Sequence, residues 1–255
     1  MSDRGAESES GESLISHLIE LRVRLLRAVG AVLVVFLALI PVAKQLYTLL
    51  AAPLLSRLPE HSSMVAIDVA TPFLVPIKLA FFSALVIAMP MVLYQLWAFV
   101  APGLYKHEKR LALPLLVSAT FLFYLGCAFA YFLVLPAIFA FLVAAAPQGV
   151  AMMTDLSHYL DFVLALFLAF GLCFEIPVAI VILVALGVVT PEMLTKNRPY
   201  VIVGAFVVAA VLTPPDAMSQ IMLAVPMCLL FEVGVIAARS LVRTRADAGH
   251  DAARH

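Results

Sequence analysis

Six apolar stretches, separated by short polar connections, organise this chain. They cover residues 27–43, 73–99, 111–142, 161–189, 200–212 and 217–238. A membrane-spanning helix needs about 20 mostly apolar residues, and all but the fifth stretch reach or approach that length. The fifth offers about 20 Å of helix, against about 30 Å of hydrocarbon. It is followed by Thr213-Pro214-Pro215-Asp216, a reversal that no helix continues through. The fifth and sixth stretches therefore predict a hairpin that falls short of the far surface and thins the bilayer locally. The pattern as a whole predicts an all-α membrane protein with six transmembrane helices.

Prolines sit in or beside most of these stretches: Pro76, Pro90, Pro114, Pro136, Pro177 and Pro226. Each removes a backbone donor and favours a kink, so helices of unequal length and direction are expected to form a curved wall. Between the first two stretches, Leu46, Leu49, Leu50 and Leu54 recur at helical spacing before Pro59, predicting a short amphipathic helix on the outer surface. No internal repeat is visible, which weighs against an inverted-repeat transporter.

Composition sharpens the membrane assignment. Apolar residues make up 64% of the 255 residues and charged residues 13%, against roughly 45–50% and 25% in soluble domains; mean hydropathy is +1.09. The acidic and polar opening, 1–13, lacks the basic start of a cleavable signal peptide, so the first apolar stretch is expected to be kept. Thirteen of the 16 basic residues fall in the N-terminal region, the second-to-third and fourth-to-fifth connections, and the C-terminal region. Lys44 and Arg57 occupy the other side, and Lys78 lies just inside the second stretch, placed to snorkel. The positive-inside rule then puts both termini in the cytoplasm. The expected organisation is a polar tail over 1–13, a six-helix transmembrane domain over 14–238 and a polar cytoplasmic tail over 239–255.

A net charge of zero gives no support to nucleic-acid binding. Cys127, Cys173 and Cys228 lie in apolar stretches without CxxC or Cys/His spacing, which argues for buried packing rather than a metal site. There is no GxSxG, no HExxH and no phosphate-cradling glycine loop. Neither an enzyme nor a cofactor is indicated.

The chemistry is expected instead at acidic residues in or against the apolar stretches, where a carboxylate is expensive and needs a reason. Before the first stretch, His17, Glu20, Arg24 and Arg27 share one helix face and Leu14, Leu18, Leu21 and Leu25 another. Two readings stand: an interfacial helix with Glu20 and Arg24 paired at i, i+4, or a polar face that docks a peptide. Glu108 follows the Pro102-Gly103 turn at the start of the third helix. It either serves the helix dipole and pairs with Lys109 or Arg110, or receives a cationic ligand. Glu175, about 21 Å into the fourth stretch, is too deep to snorkel. It is either a protonated carboxyl satisfied inside the bundle, a polar contact for another protein's helix, or a proton site. Gln220 and Glu232 in the sixth stretch belong to the same class, and Asp216 is placed to cap the sixth helix.

The stretches HLIELRVRLL (17–26), APL around Pro53, VLYQLWAFVAPGLYKHEKR (92–110), LAFGLCFEIPVAI (168–180), RPYVIVGAFV (198–207) and LTPPDAMSQ (212–220) together resemble the TatC family, the receptor subunit of the twin-arginine protein translocase, in its proteobacterial form. The resemblance runs from about residue 17 to 239. It implies six helices in a concave, glove-like arrangement in the bacterial inner membrane, with both termini cytoplasmic. It implies recognition of the paired arginines of signal peptides on folded cargo, assembly with single-span TatA- and TatB-type subunits and with further copies of itself, and transport driven by the protonmotive force. By residue, it implies that Glu20 and Glu108 meet the arginine pair, with Arg22, Phe99 and Leu104 on the same surface. Glu175 and Gln220 match positions associated with partner helices, and Pro53 and Asp216 match functional positions of the outer loops. The rival reading is a proton-coupled small-solute transporter using Glu175.

Overall fold

The computed structural model describes residues 3–48, 64–100, 109–145, 154–212 and 217–252. Almost all of them are helical. Five helices are long and apolar enough to cross a membrane, and a sixth apolar helix, Arg198–Leu212, is shorter. The six-helix expectation therefore holds, including the short fifth element. The chain divides into two compact units, Met1–Arg57 with Val69–Leu116, and Leu58–Asp68 with Val117–His255.

The first unit is built on α1 (Asp3–Leu39) and α2 (Thr71–Val100). No separate interfacial helix precedes the first span: α1 runs unbroken from the polar opening into the apolar stretch, which begins at Leu18. A 3₁₀ turn at Ile40–Val42, with Pro41 in its first positions, passes the chain into helical residues 43–48. Of the leucines expected to form an outer amphipathic helix, Leu46 lies on this continuation, and Leu49, Leu50 and Leu54 lie outside the described residues. Small residues let the two helices meet: Val32 of α1 packs against Ala84 and Ala88 of α2, flanked by Val35, Phe36, Leu39, Leu85 and Val92. Phe36 meets Phe81 edge to face, centroids 5.6 Å apart. Pro72 needs no donor in the first turn of α2, and the helix continues through Pro76 and Pro90.

In the second unit, the part of α3 (Lys109–Phe129) from Val117 onward leads through a π turn, Ala130–Val134, into α4 (Leu135–Ala145). The N–H of Leu135 bonds to the carbonyl of Ala130, five residues back. That wider turn precedes Pro136, whose ring would clash with the carbonyl four residues earlier in a regular α-helix. Next, α5 (Leu156–Phe174) and α6 (Ile176–Ala185) form one apolar span interrupted at Glu175. Then come the short α7 (Pro191–Lys196), α8 (Arg198–Leu212) and α9 (Ala217–Ala252). At about 22 Å, α8 is shorter than the hydrocarbon thickness.

Contacts in this unit are close. A Cβ added to Gly126 of α3 would lie 2.5 Å from the Phe170 carbonyl oxygen, and one added to Gly171 of α5 would lie 2.5 Å from the Phe123 ring. Phe129 packs on Phe170 and Phe174, centroids 5.5 Å from each. Ile180 and Val184 of α6 share a core with Phe231, Val235 and Ala238 of α9. After α6 the chain turns on Gly187, whose φ of 73° is open to glycine without strain. Gly187 N–H bonds to Val184 and Val188 N–H to Leu183, at 3.0 Å each, the bond pair of a Schellman stop. Thr190 then caps α7 by accepting from Met193 N–H at 3.3 Å.

One feature lies outside the all-helical expectation. Met64–Val65 (β1) pairs in parallel with Thr154–Asp155 (β2). Two residues are too few to carry the alternation that reveals a strand in sequence.

Candidate functional site: acidic and amide groups along the spans

On α1, just inside the point where the apolar stretch begins, Arg24 donates from Nε and Nη2 to Glu20 Oε1 at 2.9 and 2.6 Å. Both bonds end on the same oxygen, leaving Oε2 outside the pair. The guanidinium is the more covered partner and the carboxylate is about one-third exposed. An i, i+4 ion pair of this kind stabilises a helix by about 0.3–0.5 kcal/mol, so the pair opens at little cost. Arg22, two residues away, is exposed. On α2, Phe99 is half-buried near the helix end. Glu108 and Leu104, the other residues expected on this surface, lie outside the described residues, as do Pro53 and Asp216.

Glu175 occupies the break between α5 and α6. Its N–H reaches the Leu172 carbonyl at 3.1 Å and its carbonyl accepts from Ala179 N–H at 2.9 Å. Pro177 follows at the start of α6, where no donor is required. The backbone is thus satisfied through the break while the side chain is not: Oε1 is buried and has no hydrogen-bond partner. A satisfied carboxyl inside the bundle, one of the readings open from sequence, is not what the geometry shows. The oxygen is available to a donor from elsewhere.

Gln220 on α9 donates from Nε2 to the Phe206 carbonyl of α8 at 3.0 Å. Its amide N–H therefore already ties the α8–α9 hairpin together. Glu232, grouped by sequence with Glu175, is held inside the chain: Arg198 Nη2 reaches its Oε2 at 2.6 Å. A cleft of about 330 Å³ opens beside that pair, between α8 and α9. One more bond at this end joins Arg239 Nη2 on α9 to Thr195 Oγ1 on α7, at 2.6 Å. Sequence reading assigned Arg198 only to a basic connection; its partner stands 34 positions away, beyond the reach of any local pattern.

Asp155 caps α5, accepting from His158 N–H at 3.2 Å and contacting His158 Nδ1 at 2.6 Å. The His158 N–H is the largest influence and holds the Asp155 carboxyl below its ordinary range; desolvation opposes it, and the imidazole and the Ile67 N–H add to the lowering. Sequence reading also passed over Gln95 of α2. It is only 4% exposed, and its Oε1 has no hydrogen-bond partner. Its signal was a lone amide in an apolar stretch.

Among the described residues no group of three or more His, Cys, Asp or Glu side chains is arranged to hold a metal ion. The groups that remain are acceptors — carboxylates and amide oxygens — at a helix end and within spans. Their chemistry is the recognition of donors.

Comparison with known proteins gives a consistent answer. The family model for TatC, Sec-independent protein translocase protein, matches residues 16–226. The chain is 56% identical over 234 residues to the Sec-independent protein translocase protein TatC of Escherichia coli strain K12, covering 92% of this chain and 91% of that one. It is 37% identical over 236 residues to the protein of the same name from Aquifex aeolicus, covering 92% and 98%. A crystal structure described as the twin arginine translocase receptor TatC superposes with a TM-score of 0.79 at 39% identity, covering 88% of this chain and 98% of that one.

Proposed function

Since the chain belongs to the TatC family of Sec-independent protein translocase proteins, a family of multi-pass membrane translocase subunits and not of enzymes, we propose that it is the receptor for twin-arginine signal peptides in its translocase. The observation that carries this reading is the Glu20–Arg24 pair. A carboxylate at the mouth of a span already accepts a guanidinium through two bonds on one oxygen. An incoming arginine offers the same five-donor fork and is less strongly hydrated than an ammonium. The second arginine of the pair is assigned to Glu108. Arg22, Phe99 and Leu104 complete the surface, the aromatic and aliphatic groups meeting the apolar part of the peptide. Selectivity for arginine over lysine follows from the planar guanidinium, which sets two N–H donors side by side on one carboxylate as Arg24 does, an arrangement a point-charge ammonium does not reproduce.

Glu175 and Gln220 are assigned to single-span TatA- and TatB-type partners. The unpartnered Glu175 Oε1 supports this, since a donor on a neighbouring helix would satisfy it. Hydrogen bonds between helices in lipid contribute about 0.6–2 kcal/mol each, a strength suited to partners that associate and leave. Self-association of the receptor and the protonmotive force belong to the same reading. Both termini, with the polar extensions 1–13 and 239–255 flanking the transmembrane domain, are assigned to the cytoplasm on the distribution of basic residues. Pro53 and Asp216 are assigned to the opposite side. The transporter alternative gains no comparable observation.

The test is photocrosslinking from a probe beside Glu108 to a signal peptide bearing Arg-Arg, with Lys-Lys as control. A crosslink to Arg-Arg alone, lost in Glu108→Gln, supports the receptor surface. No crosslink to either peptide in a correctly inserted protein would overturn it.

A further inference from the structure

The least explained polar group among the described residues is the Gln95 carboxamide. The residue is 4% exposed, its Oε1 has no partner, and its Nε2 faces only the Met91 sulfur at 3.9 Å, a weak acceptor. Exchanging the amide O and N does not help, because one end is stranded in either orientation. Buried polar atoms are almost always paired, and an exception calls for a reason. In an apolar stretch a leucine would fill the same space without that cost.

Its position supplies the reason. Along α2, Ala88, Val92, Gln95 and Phe99 follow at i, i+4, i+7 and i+11, one helix face. The upper part of that face packs on α1, with Ala88 against Val32. The two helices are antiparallel, with Phe36 against Phe81. Gln95 lies 14 residues beyond Phe81, about 21 Å along the helix. Fourteen residues back from Phe36 is Arg22. Counted along the two helices, Gln95 therefore stands at about the level of Arg22, within a turn or so of the Glu20–Arg24 pair along α1, and one turn before Phe99.

The geometry points to Gln95 as a further residue of the signal-peptide site, its carboxamide oxygen accepting an N–H from an arginine bound at Glu20. This rests on the receptor reading above. A guanidinium has five donors, and one carboxylate satisfies two of them. A fixed neutral acceptor at the same level takes a third without adding a second buried charge. It also rewards the broad fork of arginine over the compact ammonium of lysine.

The experiment titrates fluorescent signal peptides carrying Arg-Arg or Lys-Lys into the full-length protein in detergent. The parent is compared with Gln95→Leu and Gln95→Met, which keep volume but lack the acceptor, and with Gln95→Glu, which restores one. We expect both apolar variants to melt no lower than the parent. They should lose affinity for Arg-Arg about tenfold, as for one hydrogen bond to a charged donor, with Lys-Lys affinity unchanged. Gln95→Glu should recover Arg-Arg binding. Unchanged Arg-Arg affinity, an equal loss for both peptides, or failure of both apolar variants to fold would overturn the assignment and leave the receptor reading standing. A parent that does not distinguish Arg-Arg from Lys-Lys would overturn the receptor reading, and this assignment with it.

Discussion

Arg198 at the start of α8 holds Glu232 two-thirds of the way along the apolar part of α9, Nη2 to Oε2 at 2.6 Å, while its own Nε is buried without a partner. Both side chains are more than one-third exposed, so solvent screens the attraction. Removing Glu232 leaves a guanidinium only partly satisfied, whereas removing both groups does not. We expect Glu232→Ala to lower the thermal midpoint in detergent. A double-mutant cycle with Arg198→Ala should return a coupling of about 1 kcal/mol or less. Strict additivity of the two substitutions would contradict the pairing.

The Glu20–Arg24 pair makes a prediction of opposite sign for its two members. Glu20→Gln should weaken binding of an Arg-Arg peptide. Arg24→Ala should strengthen it, because the competing guanidinium is gone. Both effects should shrink as salt is raised from low to physiological ionic strength. Peptide titration at two salt concentrations checks this, and weaker binding in Arg24→Ala would count against that competition.

For Glu175, the unpaired Oε1 is assigned to a partner helix. We expect Glu175→Ala to reduce crosslinking to TatA- and TatB-type subunits several-fold while leaving peptide affinity within twofold of the parent, on the order of one interhelical hydrogen bond. Equal partner crosslinking in variant and parent would refute the assignment.

Gly126 and Gly171 set the distance between α3 and α5. A methyl at either position meets the opposite helix at 2.5 Å, and at Gly126 the obstacle is the Phe170 carbonyl oxygen, which cannot swing aside. We expect Gly126→Ala to destabilise by about 1–3 kcal/mol. Gly171→Ala should cost less, because the Phe123 ring can tilt. Thermal unfolding of the two variants ranks them.

Asp155 links α5 to the β1–β2 pair. Its carboxyl is held below the ordinary value of 3.8, chiefly by the His158 N–H. A depressed folded value means that the cap is in place above about pH 4 and fails as pH falls through the folded value. Amide protection at Leu156–His158 and at Met64–Ile67, taken relative to the intrinsic exchange rate at each pH, should therefore fall together below about pH 4 and hold from pH 5 to 7. In Asp155→Ala the protection should be low at every pH. Protection retained in that variant would show the cap to be dispensable.

Much of this molecule can be read without coordinates. Hydrophobic length depends on composition over about 20 consecutive residues, so the six helices follow from the sequence, as does the shortness of α8. The resemblance carried by stretches such as HLIELRVRLL and LTPPDAMSQ reached the family that the comparisons then showed. The Glu20–Arg24 bond follows too, because i, i+4 neighbours meet on any helix. What sequence could not settle depends on groups brought together from distant positions, or on breaks a few residues long. The interfacial helix expected before the first span merges into α1, since nothing at Leu18 stops the backbone hydrogen bonds. The π turn at Ala130–Val134 and the pairing of Met64–Val65 with Thr154–Asp155 are too short to leave a period. Glu232 finds Arg198, and Gln220 finds the Phe206 carbonyl, only because α8 folds back on α9. Which buried acceptors lack a donor is likewise a property of packing. Gln95 and Glu232 look alike in the sequence, as polar groups in apolar stretches; only the fold gives Glu232 an arginine and leaves the Gln95 oxygen without a donor.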